Sequence, residues 1–445
     1  MPSSPTERQM GVWAATAVVT GEAISLGIFL TPAAMARSLG SPALLAAVWC
    51  GMALMTLAGA LCFTELAVRN PQDGGEYLYL RRGFGPQIAF LYAWMAALVM
   101  YPGVAASLCV GTVPYLQALF PVPLWLVPAL PALMIAALGA INYVGMRLSS
   151  GLMTVLNWLK IPVLLGLVGW AFVSGHATAA NLAPLAARRA GSDPLGAAIA
   201  GAAVSAFFCF GGWWEAGKIA GEVRNPRRTL PIAFTGGVLL VTALYLLVSL
   251  GFVAVVPMEQ IRSNTAFVAQ FGASLFGPEG GRVLSACVVL SVAGGLLVLF
   301  MAVPRVTCAL GNAEPSGPLR IFARLHPRFG TPANAVLLQT GMALVILMLG
   351  AFDRILAFII FSSVVFLALT AATLFRGPAA KAWWYPVAPL LFIGGCGVLA
   401  LMLLASRTVP SLIGAALVLL GLPVRRFMVG KAVAPAGLVG ARNDR

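Results

Sequence analysis

Long apolar stretches separated by short polar links run along almost the whole chain. A membrane-spanning helix needs about 17 to 25 predominantly apolar residues, and twelve stretches meet this length. Only 9% of the residues are charged and 60% are hydrophobic, whereas about 25% are charged in soluble domains. The sequence therefore predicts an all-α integral membrane protein with twelve transmembrane helices. The predicted spans are 11–36, 42–68, 87–119, 124–143, 151–174, 196–220, 229–256, 281–310, 332–352, 354–375, 384–405 and 408–424.

The basic residues predict the orientation of these spans. If the N-terminus is cytoplasmic, twenty of the 28 Lys and Arg residues fall on the inner side and seven on the outer side, with Lys160 inside span 5. Positive charge is enriched in cytoplasmic loops. We therefore expect both termini in the cytoplasm and a plasma membrane location, which in a bacterium is the inner membrane. The net charge of +15 then reflects topology and not nucleic-acid binding.

Composition also limits the chemistry. The seven cysteines lie in apolar segments without paired spacing, which predicts small buried core residues and no disulfide or metal framework. No nucleophile with a base appears, so we expect no enzyme activity, no metal and no cofactor. The first ten residues are polar and no cleavage pattern follows, which argues against a removable signal peptide. No soluble block is long enough to fold alone, so residues 1–445 are treated as one transmembrane domain.

Two of the predicted spans carry polar and glycine residues at mid-depth. Span 1 contains Gly21-Glu22-Ala23-Ile24-Ser25-Leu26-Gly27, and span 6 contains Phe207-Phe208-Cys209-Phe210-Gly211-Gly212-Trp213-Trp214-Glu215. Non-helical backbone at that depth is tolerated only against protein or a wet cavity. Breaks at matching positions of two five-helix halves indicate an inverted-repeat transporter with a midplane site. The alternative is that these glycines only let helices pack closely.

Several segments of the sequence form a distinctive ordered set. They are Gly27-Ile28-Phe29 with Pro32, Phe63-Thr64-Glu65-Leu66, Gly74-Gly75-Glu76-Tyr77, Phe208-Cys209-Phe210-Gly211-Gly212-Trp213, Glu222 to Pro231, Arg305 and His326 to Pro332. Together they closely resemble the amino acid-polyamine-organocation superfamily, especially its L-type amino acid transporter branch. The resemblance implies a LeuT-like 5+5 inverted repeat, with halves 11–174 and 196–375, broken helices 1 and 6, and two extra C-terminal helices in 384–424. It also implies amino acid transport by alternating access.

The two breaks suggest how a zwitterion binds. The second half of span 1 would begin near Ser25 and present free N–H groups at a positive helix end, which suits a carboxylate. Its donors are predicted to be Ser25, Leu26 and Gly27. The first half of span 6 would end in free carbonyls that suit an ammonium. Those carbonyls are predicted on Phe207, Phe208 and Cys209.

The resemblance adds roles to other residues of span 6. Phe208 matches an aromatic that closes over substrate in the family, although packing against lipid or protein is the alternative role of such a residue. Trp213 and Trp214, which follow Gly211, are expected to line the side-chain pocket.

Charged residues inside the spans leave several roles open. Lys160 matches a family lysine that takes the place of a sodium ion and bridges the first break to span 8. The resemblance therefore implies transport that does not depend on sodium. It is either a fixed strut or a titrating group. Glu22 could pair with Lys160, carry a proton, favour a cationic substrate, or face a solvated vestibule. No family role is transferred to Glu215, and Glu65 and Glu222 are expected to form ion pairs with nearby Arg69 and Arg224.

These features predict a sodium-independent amino acid exchanger or facilitator. The alternative is a proton-coupled carrier of cationic amino acids or polyamines. In animal relatives a heavy chain attaches through a cysteine after span 3, but Phe120-Pro121-Val122-Pro123 contains none. We therefore expect no covalent heavy-chain partner. The sequence does not identify the substrate, the direction of flux or the oligomeric state.

Overall fold

The apolar stretches form helices in a computed structural model, which describes residues 10–261, 271–314, 317–350, 352–378 and 382–428. Short π-helical turns, Ala96–Met100 and Ile232–Gly236, join α5 to α6 and α11 to α12. The helices are α1 Val12–Ala23, α2 Gly27–Leu39, α3 Pro42–Arg69, α4 Glu76–Phe84, α5 Pro86–Met95, α6 Tyr101–Leu119, α7 Leu130–Val144, α8 Met146–Val173, α9 Leu195–Phe210, α10 Glu215–Lys218, α11 Pro226–Pro231, α12 Gly237–Val255, α13 Gly280–Ala313, α14 Ala333–Leu349, α15 Phe352–Ala372, α16 Val387–Ser406 and α17 Thr408–Met428.

Helices coincide with all twelve predicted spans. Nine helices in the described part of the chain are long and apolar enough to cross a membrane, and Ala333–Leu349 and Ile359–Phe375 are shorter apolar helices. The remaining predicted span corresponds to α1 and α2, which contain only 12 and 13 residues. The prediction of an all-helical membrane protein is confirmed. The number of crossings and the 5+5 repeat remain predictions.

Both predicted helix breaks are present. α1 ends at Ala23 because Ile24 leaves the helical region with ψ of 72°, and α2 begins at Gly27. α9 ends at Phe210, and a turn leads to α10. Gly212 in that turn has φ of +94°, a conformation that glycine adopts without the steric cost of a Cβ. The second break therefore depends on the backbone freedom of one glycine.

The long helix α13 lies at the centre of the bundle. In its most apolar 18-residue stretch 72% is buried, the largest share among the nine candidate spans of the described chain. It packs against α6 and α8 and also contacts α1 and α10. This placement brings its small residues against the first helix break, where Gly295 lies close to Gly21 O and Ser25 Oγ. α13 therefore forms one wall of the region that holds the break.

The cysteines differ from the prediction of uniform burial. Cys62, Cys109, Cys209 and Cys396 are buried, whereas Cys50 is exposed and Cys287 and Cys308 are half-buried; all seven are free. Cys50 lies on α3, on a helix face that the described parts of the chain leave exposed. In a membrane such a face meets lipid, so an apolar segment need not be a buried one.

Candidate substrate site between two broken helices

Both helix breaks line one cavity. Residues from α1, α2 and the first break meet residues of α9 and the second break, and α6 and α15 close the other sides. The space left for the centres of water-sized molecules is about 60 Å³, several times the amount that one water needs. The cavity is lined by Glu22, Ala23, Ser25, Gly27, Met100, Tyr101, Val104, Leu108, Phe207, Phe208, Cys209, Gly211, Trp214, Ile359, Ile360 and Ser363.

The predicted site residues do not all line this cavity. Trp214 does, but Trp213 packs away from it, with ring centroids 5.0 Å from Phe63 and 6.0 Å from Phe392. Of the two tryptophans expected to line the side-chain pocket, Trp214 is therefore among the residues that line this cavity and Trp213 is not. The side chain of Leu26 also points elsewhere, toward Gly111, and Lys160 lies outside the lining. A turn sends consecutive side chains in different directions, which residue spacing alone does not resolve.

Close contact between the breaks requires glycine at position 27. A Cβ added to Gly27 would lie 2.8 Å from Cys209 Sγ, but 3.5 and 3.6 Å from Cys209 Cα and Cβ. Only the sulfur is closer than ordinary van der Waals contact. The two half-helices therefore meet where Gly27 has no side chain and Cys209 has a short one.

We expect Gly27→Ala to lower amino acid transport about tenfold and Gly27→Ala/Cys209→Ala to restore most of it. The double variant removes the sulfur that the new methyl group would meet, and overpacking of a well-packed site costs about 1–3 kcal/mol. Uptake into proteoliposomes measures the effect, with Cys209→Ala alone as the control. Equal loss in the single and double variants would contradict this close approach.

A tyrosine that the sequence analysis missed ties the two breaks together. Tyr245 Oη lies 2.5 Å from Ala23 O and 2.6 Å from Cys209 O, the carbonyls near the ends of α1 and α9. Because a phenol has one proton, it serves one carbonyl at a time. The carbonyl of Cys209 thus shares the Tyr245 proton with that of Ala23, and the carbonyl of Phe208 accepts from Gly211 N at 3.1 Å. Because each carbonyl oxygen has a second lone pair, binding of a ligand ammonium by Phe207, Phe208 and Cys209 stays a prediction.

Lys160 contacts the first break at the carbonyls where the sequence predicted its acceptors. Its Nζ donates to Gly21 O and to Ile24 O, each at 2.7 Å. Ser291 Oγ of α13 donates to the same Ile24 carbonyl at 2.9 Å. Lys160 is 4% exposed, so the unwound carbonyls of α1 are held by an ammonium and a hydroxyl instead of water.

Glu22 lines the cavity, and one of its carboxylate oxygens has no hydrogen-bond partner among the described residues. No group among the described residues bonds its Oε2, and Lys160 is occupied by the carbonyls of the break. The Glu22 side chain instead packs against Gly212, where an added Cβ would lie 2.4 Å from Glu22 Cβ. The predicted alternative of an ion pair with Lys160 is therefore not realised.

A second buried lysine, Lys218, lies at the end of predicted span 6. Lys218 is fully buried, and its Nζ lies 2.9 Å from Glu76 Oε1, 2.7 Å from Glu215 Oε1 and 2.9 Å from Tyr101 Oη. We call these four residues the Lys218 cluster. The sequence analysis counts Lys218 among the twenty basic residues of the inner side. Its carboxylate partner on α4 is distant in sequence, so no local pattern indicated its burial.

Ion pairs at one end of the bundle partly match the prediction. Arg69 Nε bonds Glu65 Oε1 at 2.7 Å, as expected for residues four apart on a helix. Glu222, however, pairs with Arg305 at 2.7 Å and not with Arg224 as predicted. Asp73 lies in the same region and accepts from Gly221 N at 2.9 Å. Burial, and next the nearby Glu222 carboxylate, raise the pKa of Asp73 to about 7.

This raised pKa predicts a pH-dependent stability. The folded protein binds a proton at Asp73 more tightly than the unfolded chain, so the contribution is fully present below about pH 4 and is lost as pH rises through about 7. Asp73→Asn should flatten the dependence of the melting temperature on pH between 4 and 7. Melting of the detergent-solubilised protein measures it, with Asp193→Asn as an exposed control. An unchanged slope in Asp73→Asn would contradict the prediction.

Comparisons with known proteins agree with this geometry. Residues 10–422 match the amino acid permease family. The serine/threonine exchanger SteT of Bacillus subtilis is 25% identical over 94% of this chain and 96% of its own. The human b(0,+)-type amino acid transporter 1 is 25% identical over 82% of this chain and 74% of its own. The mouse Asc-type amino acid transporter 1 is 29% identical over 77% and 65%, respectively. The chain thus belongs to the amino acid permease family, within the amino acid-polyamine-organocation superfamily.

Proposed function

We propose that this protein is a sodium-independent amino acid transporter, an exchanger or facilitator that works by alternating access. The observation that carries the proposal is one cavity lined by two helix breaks from different parts of the chain. Membership of a transporter family supports it. A zwitterionic substrate would bind between the unwound parts of the two helices.

The helix ends supply opposite partial charges to such a ligand. α2 begins at Gly27 beside the cavity, and a helix N-terminus favours an anion through its free N–H groups. α9 ends at Phe210, so the carbonyls of Phe207 and Phe208 lie at its negative end. We infer that the substrate carboxylate contacts the first end and its ammonium the second. An anion or an amine alone would use only one of these ends.

Lys160 supports the absence of sodium coupling. Its ammonium already bonds Gly21 O and Ile24 O, which are hard oxygen ligands of the kind a sodium ion would use. The ammonium occupies the carbonyl oxygens that would coordinate a sodium ion, and its positive charge would repel a second cation. We propose that Lys160 acts as a structural strut that holds the break open.

The same proposal includes the architecture that a transporter of this kind requires. We propose a LeuT-like 5+5 arrangement in a single domain, with repeats 11–174 and 196–375 and two added helices in 384–424. The agreement of helices with the predicted spans supports it. Both termini would face the cytoplasm of a cell whose plasma membrane, in a bacterium the inner membrane, holds the protein. No cysteine occurs in 120–123, and we propose no covalent heavy chain.

The size of the cavity favours a small substrate. The indole of Trp214 and the ring of Phe207 stack beside it, 6.3 Å apart, and the free space is small. The name of the Bacillus subtilis relative specifies serine and threonine. Serine is therefore the first substrate to test.

Transport by purified protein in proteoliposomes tests the proposal. We expect uptake of radiolabelled L-serine that is faster with internal serine and unchanged when external sodium is replaced by choline. Uptake that requires sodium would overturn sodium independence. Failure of all proteinogenic amino acids to enter would overturn the transport function itself.

A second candidate function is a proton-coupled carrier of cationic amino acids or polyamines. It is favoured by the unpartnered Oε2 of Glu22 at the cavity, because a buried carboxylate needs a donor or a cation. L-Lysine and putrescine should then compete with serine in the wild type. Glu22→Gln should remove that competition while leaving serine uptake measurable; competition that is equal in both would dismiss this candidate.

A further inference from the structure

The Lys218 cluster lies behind the cavity and contains more acid than base. All three protons of the Lys218 ammonium are used, by Glu76, by Glu215 and by the Tyr101 hydroxyl. The second oxygen of each carboxylate, Glu76 Oε2 and Glu215 Oε2, has no partner among the described residues. Two carboxylates thus share one ammonium and keep two buried acceptor atoms unsatisfied.

Tyr101 connects this cluster to the cavity. Its hydroxyl oxygen accepts from Lys218 Nζ at 2.9 Å and from Trp214 Nε1 at 3.2 Å. Both nitrogens can only donate, so the phenol proton remains available for another acceptor. Tyr101 and Trp214 also line the cavity. A ligand that moves either side chain therefore alters the hydrogen bonds of the cluster directly.

The surrounding groups do not balance the excess acid. The charged groups that act on the cluster within the described chain include Glu22 of α1 and, through Glu22, Lys160 of α8. With Glu76, Glu215 and Lys218 this makes three carboxylates against two ammonium groups. An uncompensated charge in a buried site is costly. The region is therefore one positive charge short. The other titratable groups that face the cluster are Tyr79 of α4 and Tyr92 of α5.

We propose that Glu76 and Glu215 share one exchangeable proton, and that this proton binds and leaves together with the substrate. The inference rests on the proposed transport function. A proton from bulk solvent on the side of substrate entry forms an O–H bond with one carboxylate oxygen, and the bond breaks when the substrate leaves. Both carboxylates bond the same ammonium, at 2.9 and 2.7 Å, so the charge of each opposes ionisation of the other and one proton, on either carboxylate, relieves the pair.

The proton changes the charge carried in each transport mode. In exchange, one substrate and one proton cross together in each direction, so no net transfer of protons occurs. In net uptake, one proton enters with each substrate. Glu22 alone could hold the proton instead, but its carboxylate has no second carboxylate bonded to the same cation. The test therefore separates Glu22 from the pair.

Proton uptake on ligand binding tests the proposal. Full-length protein in detergent, in weakly buffered solution with a pH indicator, is mixed with L-serine. We expect about one proton taken up per serine bound, and a serine Kd that rises up to tenfold per pH unit on the alkaline side, because binding of the two ligands is reciprocally linked. Glu76→Gln and Glu215→Gln should each abolish both effects.

Two control variants make the result specific. Glu65→Gln removes a carboxylate from the half-exposed pair with Arg69 and should keep the wild-type proton count, and Asp73→Asn should keep it as well. Loss of proton uptake in Glu22→Gln but not in Glu215→Gln would overturn the assignment. If the cluster variants do not fold, Glu22→Gln decides, because it should keep the wild-type proton count and the pH slope of Kd, and loss of both in this variant would overturn the assignment.

The outcome also separates this inference from the proposed function. A wild type that binds and exchanges serine without proton uptake, at a Kd independent of pH, overturns the shared proton and leaves amino acid transport standing. A wild type that neither binds nor transports any amino acid overturns both.

Discussion

Replacing Lys160 by methionine is expected to abolish amino acid transport, with exchange reduced at least about 100-fold. The substitution keeps an apolar chain of similar length but removes the ammonium that bonds Gly21 O and Ile24 O. Each buried carbonyl left without a donor costs about 1–3 kcal/mol, and Ser291 can serve only Ile24. Because this loss falls on the unwound segment, we expect it to disturb the site more than the rest of the fold. Serine exchange in proteoliposomes is the measurement.

Arg282→Met is the matched control for Lys160→Met. Arg282 is 61% exposed and pairs with Glu279, which is 72% exposed, and such surface pairs contribute about 0–1 kcal/mol. The Arg282→Met variant should therefore exchange serine at the wild-type rate. Wild-type exchange by Lys160→Met, in protein of normal melting temperature, would show that the ammonium is dispensable and would remove the strut from the mechanism.

Replacing Gly212 by alanine is expected to lower exchange by a similar factor, for a different reason. Gly212 has φ of +94°, and a left-handed backbone costs an L-residue about 1–2 kcal/mol. The new Cβ would also lie 2.4 Å from Glu22 Cβ and 2.7 Å from its Oε2. The break of span 6 would have to shift away from the break of span 1. Serine Kd and exchange rate should therefore both deteriorate.

Gly166→Ala and Gly169→Ala are the controls for this variant. Both glycines lie in α8, and an added Cβ meets nothing within 4 Å at either position, so exchange should stay within about twofold of the wild type. A functional Gly212→Ala would contradict the view that this turn must keep its present backbone. Its melting temperature shows whether any loss reflects the site or the whole fold.

Features that depend on neighbouring residues could be predicted from the sequence, whereas most contacts between residues far apart in the chain could not. The glycines and acids inside two apolar stretches indicated both breaks, and the acceptors of Lys160 followed because they are the end of the first half-helix. The partner of Glu222 did not follow: Arg224 is only two residues away, yet Arg305, 83 residues away, makes the bond. The backbone after Glu222 is extended at Val223, and Arg305 reaches Glu222 from the distant helix α13.

The sequence by itself determined the helical membrane class and the places where two helices must unwind, because each depends on the polarity and backbone freedom of consecutive residues. Only the tertiary structure decided that Trp214 and not Trp213 faces the cavity, that Tyr245 joins the ends of α1 and α9, and that Lys218 is buried between two carboxylates. These arrangements bring together side chains from distant helices. Their geometry is set by packing, which no local pattern specifies.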